Sequence, residues 1–133
     1  MNYTVKTGFE NMDIKWVTKA LQKTYWADDR SDETIEKSMR NSYCYGVFEG
    51  DKQIAFCRLI TDFATTYYLC DAVVDENCRG KGIGSIMLNA IVADERFKNL
   101  RGILGTKDAH SFYERFGFEK NEKLFMQRWT KVF

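Results

Sequence analysis

The stretch NCRGKGIGS (residues 77–85) sets three glycines at alternate positions beside Arg79 and Lys81. It follows the apolar run YYLCDAVV (residues 67–74) and precedes residues at helical spacing. The start of a helix exposes unpaired backbone N–H groups and the positive end of the helix dipole. Glycine lets such a backbone approach a ligand with no side chain in the way. With two cations added, the composition is that of an anion site. Two common phosphate loops fail on spacing. A P-loop needs G-x-x-x-x-G-K-[ST], and here Gly80-Lys81 is followed by Gly82. A dinucleotide fingerprint needs G-x-G-x-x-G, whereas Gly80, Gly82 and Gly84 give G-x-G-x-G.

Outward from this stretch the pattern alternates between the two secondary-structure periods. Ile83, Ile86, Met87, Ala90 and Ile91 predict a helix ending near residues 97–99. Upstream, residues 3–7 alternate like a strand. Asn11 or Asp13 is placed to cap a helix running to about Lys23, and Ser31 to cap a second one. Residues 43–48, 53–61 and 67–74 read as three strands of an antiparallel meander, with a hairpin at EGDK (residues 49–52). Downstream, residues 102–105 make a short buried strand. Asp108 is expected to cap a short helix that Gly117 ends. Phe118 onward and residues 124–129 read as two closing strands. The expected class is α/β (α+β): a mixed, mostly antiparallel sheet of about seven strands flanked by about four helices. The segment 67–105 is expected to make a parallel crossover.

Bulk properties bound the function. A chain of 133 residues, 44% hydrophobic, is expected to fold as a single domain spanning 1–133. Twenty basic against 19 acidic residues gives a net charge of +1, which argues against a nucleic-acid partner. The amino-terminal MNYTVKTGFE lacks a long apolar core, and no later run approaches transmembrane length. A cytoplasmic protein with no membrane partner is the expectation. Cys44, Cys57, Cys70 and Cys78 lack metal-site spacing, so no metal is expected, and at least three of them are read as small buried residues. Asp71 stands inside an apolar strand, where a carboxylate is costly without a purpose or a partner.

The spacing that does fit the glycine stretch is R-x-x-G-x-G, as Arg79, Gly82 and Gly84. In this the sequence resembles the GNAT (Gcn5-related) N-acetyltransferase superfamily. A second segment, DAHSFYERFGF (residues 108–118), is similar to the family's A-x-x-x-Y-x-x-x-G-F, with Ala109, Tyr113, Gly117 and Phe118 in register. The resemblance runs along nearly the whole chain. It implies an acetyl-CoA-dependent N-acetyltransferase acting on a small-molecule primary amine by direct attack in a ternary complex. Two positions depart from the family pattern: Thr106 stands where many members carry Asn, and Glu76 where many carry Pro.

The resemblance also implies roles for residues. Backbone N–H groups of Arg79, Gly80, Lys81, Gly82, Ile83, Gly84 and Ser85 would grip the coenzyme A pyrophosphate, with Ser85 opening the helix. Val73 and Val74 would pair with the pantetheine amides, and Thr106, Phe112 and Tyr113 would border the cofactor. Tyr113 is the expected general acid, since a phenol with an ordinary pKa of about 10 is protonated at neutral pH. Asp71 is the candidate base. His110, the single histidine, is assigned to the surface or cap of its helix. The turn between the first two helices offers Trp26, Asp28 and Arg30 to an acceptor, a set suited to an amine that also bears a carboxylate. The alternatives are a protein or peptide N-acetyltransferase and a non-catalytic acyl-CoA sensor. The carboxy-terminal Phe125, Trp129 and Phe133 either close the core or contribute to a homodimer contact.

Overall fold

The structure, a computed structural model, describes residues 2–132. Five strands form one sheet in sequence order: β1 (Tyr3–Thr7), β2 (Tyr43–Glu49), β3 (Lys52–Thr61), β4 (Thr66–Val74) and β5 (Arg101–Leu104). The first three pairings are antiparallel, and only β4 with β5 is parallel. That pairing closes a crossover through helix α3 (Ile83–Ala93), as the sequence pattern leads one to expect. Helices α1 (Ile14–Gln22) and α2 (Asp32–Arg40) cover one face of the sheet; α3 and the short α4 (His110–Glu114) cover the other.

Local chemistry explains most of these boundaries. Asp13 caps α1, its carboxylate accepting from Trp16 N at 3.1 Å. Ser31 caps α2 by accepting from Thr34 N at 3.2 Å. Each helix then buries one stripe: Val17 and Leu21 from α1, Ile35 and Met39 from α2. They pack on Cys44, Phe48 and Phe56 of the sheet. Across the sheet, Ile83, Met87, Leu88 and Ile91 of α3 pack on Tyr45, Leu59 and Leu69. Helices on both faces explain why Cys44 through Phe48 of β2 form an unbroken buried run.

The expected seven strands are five. Neither Phe118 onward nor residues 124–129 forms a strand; among the described residues this tail holds only a 3-10 turn at Glu122–Leu124. Alternation in sequence makes a segment fit to be a strand, but a strand needs a partner edge, and this tail pairs with none in its own chain. Helix α3 ends at Ala93 rather than near 97–99, because Asp94 leaves the helix. Its carboxylate accepts from the backbone and guanidinium of Arg96 and from the Tyr45 hydroxyl. Asp108 does not cap α4: Ala109 occupies that position, and Thr106 Oγ1 accepts from Ala109 N at 3.0 Å. Ser85 does not open α3 either; Gly82 is its N-cap, and Ser85 is its third residue.

Candidate active site

β4 and β5 pair only from Thr66 with Arg101 to Leu69 with Leu104. β5 ends at Leu104, so beyond Leu69 the upper half of β4 has no neighbour on that side. Cys70 pairs with Arg58 and Val73 with Phe56, so two residues, Asp71 and Ala72, face Cys57 alone. That is a β-bulge, and Asp71 sits in it with φ +56°. The extra residue reverses the phase of the strand. Tyr67 and Leu69 point to the α3 face below the bulge, and Ala72 and Val74 regain that face above it, while Val73 turns to the α1–α2 face.

Beside this bare half of β4, between it and the helices α3 and α4, lies a cleft of about 230 Å³, lined by Ala72, Val73, Val74, Gly84, Phe112 and Tyr113 among others. At its mouth α3 begins. Gly82 holds φ +76° at the N-cap and supplies no side chain to close the helix end. The first i-to-i−4 bond of the helix is donated by Ile86 N, to Gly82 O. The N–H groups of Ile83, Gly84 and Ser85 therefore have no acceptor within the helix. Gly84 lets α4 come close, since a Cβ there would lie 3.3 Å from Phe112 Cζ. Arg79, Gly80 and Lys81 are exposed beside this helix start, and the Ile83 side chain is in the core. The structure thus brings Val73, Val74, Gly84, Phe112 and Tyr113 to one cleft, with the start of α3 at its edge. Thr106 lies apart from that cleft, at the end of β5.

Tyr113 is half-buried, and burial pushes its phenol up to about 12. It remains protonated across the neutral range. Its neighbour Phe112 meets it edge-on at 5.1 Å between ring centroids, and Arg115 lies over the Phe112 ring at 5.1 Å. His110 is the first residue of α4, and its N-cap is Ala109.

On the opposite face lies an ionic cluster. Asp71, with its side chain 2% exposed, accepts from Arg58 Nε at 2.7 Å, Arg30 Nη1 at 2.8 Å and Trp26 Nε1 at 3.1 Å. Burial works to raise its pKa, but the Arg58 charge and hydrogen bond, followed by those of Arg30, hold the carboxyl below its ordinary value. Arg58 also donates to Ser42 Oγ at 3.1 Å. The structure gathers Trp26, Arg30 and Asp71, and it leaves Asp28 exposed at the surface. Arg58 was missed in the sequence. Its signal was there: a charge inside the apolar return strand IAFCRLI demands a partner as much as Asp71 does.

Burial pushes Cys44 up to about 12 and Cys70 to about 11. Cys44, Cys57 and Cys78 are buried, as expected for three of the four. Among the described residues no cluster of His, Cys, Asp and Glu is arranged to hold a metal, and no helix is long and apolar enough to cross a membrane.

Comparison with known proteins adds a family. The sequence model of the "Acetyltransferase (GNAT) domain" matches residues 40–120, more than half of the chain. A Xanthomonas campestris protein whose 1.40 Å crystal structure is described as belonging to the GNAT family is 32% identical. The match covers 98% of this chain and 94% of that one, with a TM-score of 0.92. A GNAT family protein of Streptococcus pneumoniae is 23% identical over 98% of both chains, with a TM-score of 0.77. An acetyltransferase structure from Clostridium acetobutylicum, described as being with acetyl-CoA, is 14% identical over 96% of both chains, with a TM-score of 0.70. At those lower identities the likeness is one of fold. No curated protein matches the chain.

Proposed function

The chain belongs to the GNAT acetyltransferase family and is an acetyl-transferring enzyme, and from that premise we propose that it moves an acetyl group from acetyl-coenzyme A to the primary amine of a small molecule. We take the whole chain to serve this one activity as a single domain. The observation that carries the reading is the bare upper half of β4 beside an uncapped helix start. A strand edge without its neighbour, a narrow cleft and a set of unbonded N–H groups lie side by side.

Acetyl-coenzyme A supplies an activated acetyl thioester. The N–H groups of residues 83–85, with Arg79 and Lys81 alongside, bind its pyrophosphate. Gly80 and Gly82 keep side chains out of the way. Val73 and Val74 offer main-chain donors and acceptors to the pantetheine amides, as one strand does to another. Phe112 and Tyr113 form the apolar wall, and Thr106 stands at the end of β5. Tyr113 holds a proton at its phenol oxygen for the departing sulfur. The raised thiols offer no nucleophile, which favours direct attack by the amine.

The acceptor approaches from the α1–α2 face. Trp26 presents a half-exposed ring to a cation, Asp28 adds negative charge, and Arg30 is placed for an acceptor carboxylate. Asp71 begins at a disadvantage as a base, because both arginines stabilise its ionised form. Its pH dependence decides the matter: an Asp71→Asn enzyme with an unchanged pH–rate profile assigns the residue to positioning alone.

Calorimetric titration with acetyl-coenzyme A tests the whole reading. Micromolar binding is expected, and Gly82→Trp abolishes it. Tyr113→Phe lowers turnover of an accepted amine and leaves that binding nearly unchanged. Failure of the unmodified protein to bind would end the proposal.

A further inference from the structure

Helices α1 and α2 cover their face of the sheet only in part. They pack on Cys44, Phe48 and Phe56. Further along β3 and at the start of β4 the same face is open. Ile60 and Tyr68 are cross-strand partners there, 45% and 43% exposed. Their neighbours Leu59, Tyr67 and Leu69 point into the core on the α3 side, so alternation sends these two to the other face. The next pair on that face is Arg58 with Cys70, beside the bulge. Burial raises the Tyr68 phenol above its ordinary value, and Cys70, Asp71 and Arg58 act on it in turn. At the margin stands Trp26, its indole N–H on Asp71 and its ring 42% exposed. Tyr25 meets that ring edge-on at 5.2 Å, and Lys107 lies 5.4 Å from the centre of the Tyr25 ring. The turn between α1 and α2 thus reaches from the bulge of β4 to the loop after β5.

Charge on this face is not balanced. One carboxylate, Asp71, serves two guanidiniums. It accepts from Arg58 Nε and Arg30 Nη1, and Ser42 Oγ accepts from Arg58 Nη1. A guanidinium carries five N–H groups, so both arginines keep donors to offer. Their side chains are 18% and 12% exposed against 2% for Asp71, so the cations reach the open face and the anion does not. Of the acids in the neighbouring turn, Asp29 meets Lys131 at 3.4 Å and Asp28 is exposed. A half-buried cluster with a surplus positive charge is completed by a second anion, and a carboxylate matches the guanidinium fork. Ile60, Tyr68 and Trp26 beside it form an apolar floor that a polar ligand alone leaves uncovered.

We propose that the acceptor is a primary amine bearing both a carboxylate and an aromatic ring, the class of the aromatic amino acids. Its carboxylate lies on Arg30 and Arg58, its ring on Ile60 and Tyr68 beside Trp26. Its amine lies at the bulge, from which Ala72 and Val73 lead into the cleft. This assignment rests on the function proposed above. In the transfer the amine nitrogen bonds to the acetyl carbon and the carbon–sulfur bond breaks. The nitrogen passes a proton to water, and the sulfur leaves with the Tyr113 proton, which solvent restores. Arg58, Ile60 and Tyr68 are thereby specificity-determining residues.

Thiol release from acetyl-coenzyme A is compared for phenylalanine, for phenethylamine, which lacks the carboxylate, and for glycine, which lacks the ring. The kcat/KM of phenylalanine is expected to exceed each of the others by at least about tenfold. A preference for either of the others, or none, overturns the proposal. Ile60→Ser and Tyr68→Ala change exposed side chains, and each is expected to raise the KM for phenylalanine about tenfold without a matching fall in kcat. An unchanged KM in both removes the ring from this face. Arg30→Gln is expected to erase the preference for phenylalanine over phenethylamine, and its retention overturns the carboxylate assignment. Should that variant not fold, calorimetric titration of the unmodified protein with 3-phenylpropionate decides. This probe keeps ring and carboxylate but has no amine, and an absence of binding at millimolar concentration overturns the proposal. Acetyl-coenzyme A that binds while phenylalanine is not acetylated sinks the aromatic acceptor and leaves the acetyltransferase standing. Failure of acetyl-coenzyme A to bind ends the function proposed above instead, and the 3-phenylpropionate titration then reads the open face alone.

Discussion

Asp71 combines three features that are each costly alone: a charge, burial and a left-handed backbone. A non-glycine residue in that conformation stores about 1–3 kcal/mol of strain. Two guanidiniums and an indole N–H hold it there. Asparagine has the same shape and tolerates the same backbone, so Asp71→Asn removes chiefly the charge. The expected loss is about 3–5 kcal/mol, measured by urea unfolding, because Arg30 and Arg58 are left without their anion. The sign with pH follows from the depressed carboxyl. Its contribution is fully present above the ordinary carboxylate value of 3.8 and is lost as pH falls through the lower folded value. The variant should therefore show a flatter acid limb of stability than the parent. The sequence revealed that Asp71 needed a partner or a purpose, since the run around it is apolar. It did not reveal the bulge. Nothing in the letters of YYLCDAVV marks one residue as extra, because the mismatch exists only against β3.

Among the elements, α3 carries the clearest relation between conformation and use. Its N-cap must be left-handed and must also leave the first N–H groups open, and glycine meets both needs. Gly82→Ala meets neither as well. A Cβ there finds open space, so the cost is conformational, about 1–2 kcal/mol by thermal unfolding. Acetyl-coenzyme A affinity is expected to fall in parallel, as the helix start relaxes away from the mouth of the cleft. This element was legible from sequence because glycine spacing and helical periodicity meet at one point. The caps at Asp13 and Ser31 were legible for a similar reason: a short polar side chain precedes an apolar stripe. The end of α3 was not, since the periodicity persists past Asp94 while the Tyr45 and Arg96 contacts that draw this carboxylate out are tertiary. The closing strands failed differently. Their alternation is real, but alternation is silent about where a partner edge lies.

At the scale of the whole molecule, helices cover both faces of the sheet, and β1 and β5 form its two margins. Phe133, which the sequence reading grouped with Phe125 and Trp129, lies outside the described residues. The bulge has a consequence of another kind. Take Asp71 out of β4, and Cys70 is followed by Ala72: every other residue of the strand then keeps the face it now occupies, in unbroken alternation. The strand reads as an ordinary one with a single residue inserted. A chain lacking that one codon has all the patterning of a plain scaffold, with a continuous ladder and two arginines facing no anion. One inserted residue is thus all that separates a continuous β3–β4 ladder from the bulged one that holds Asp71 between two guanidiniums.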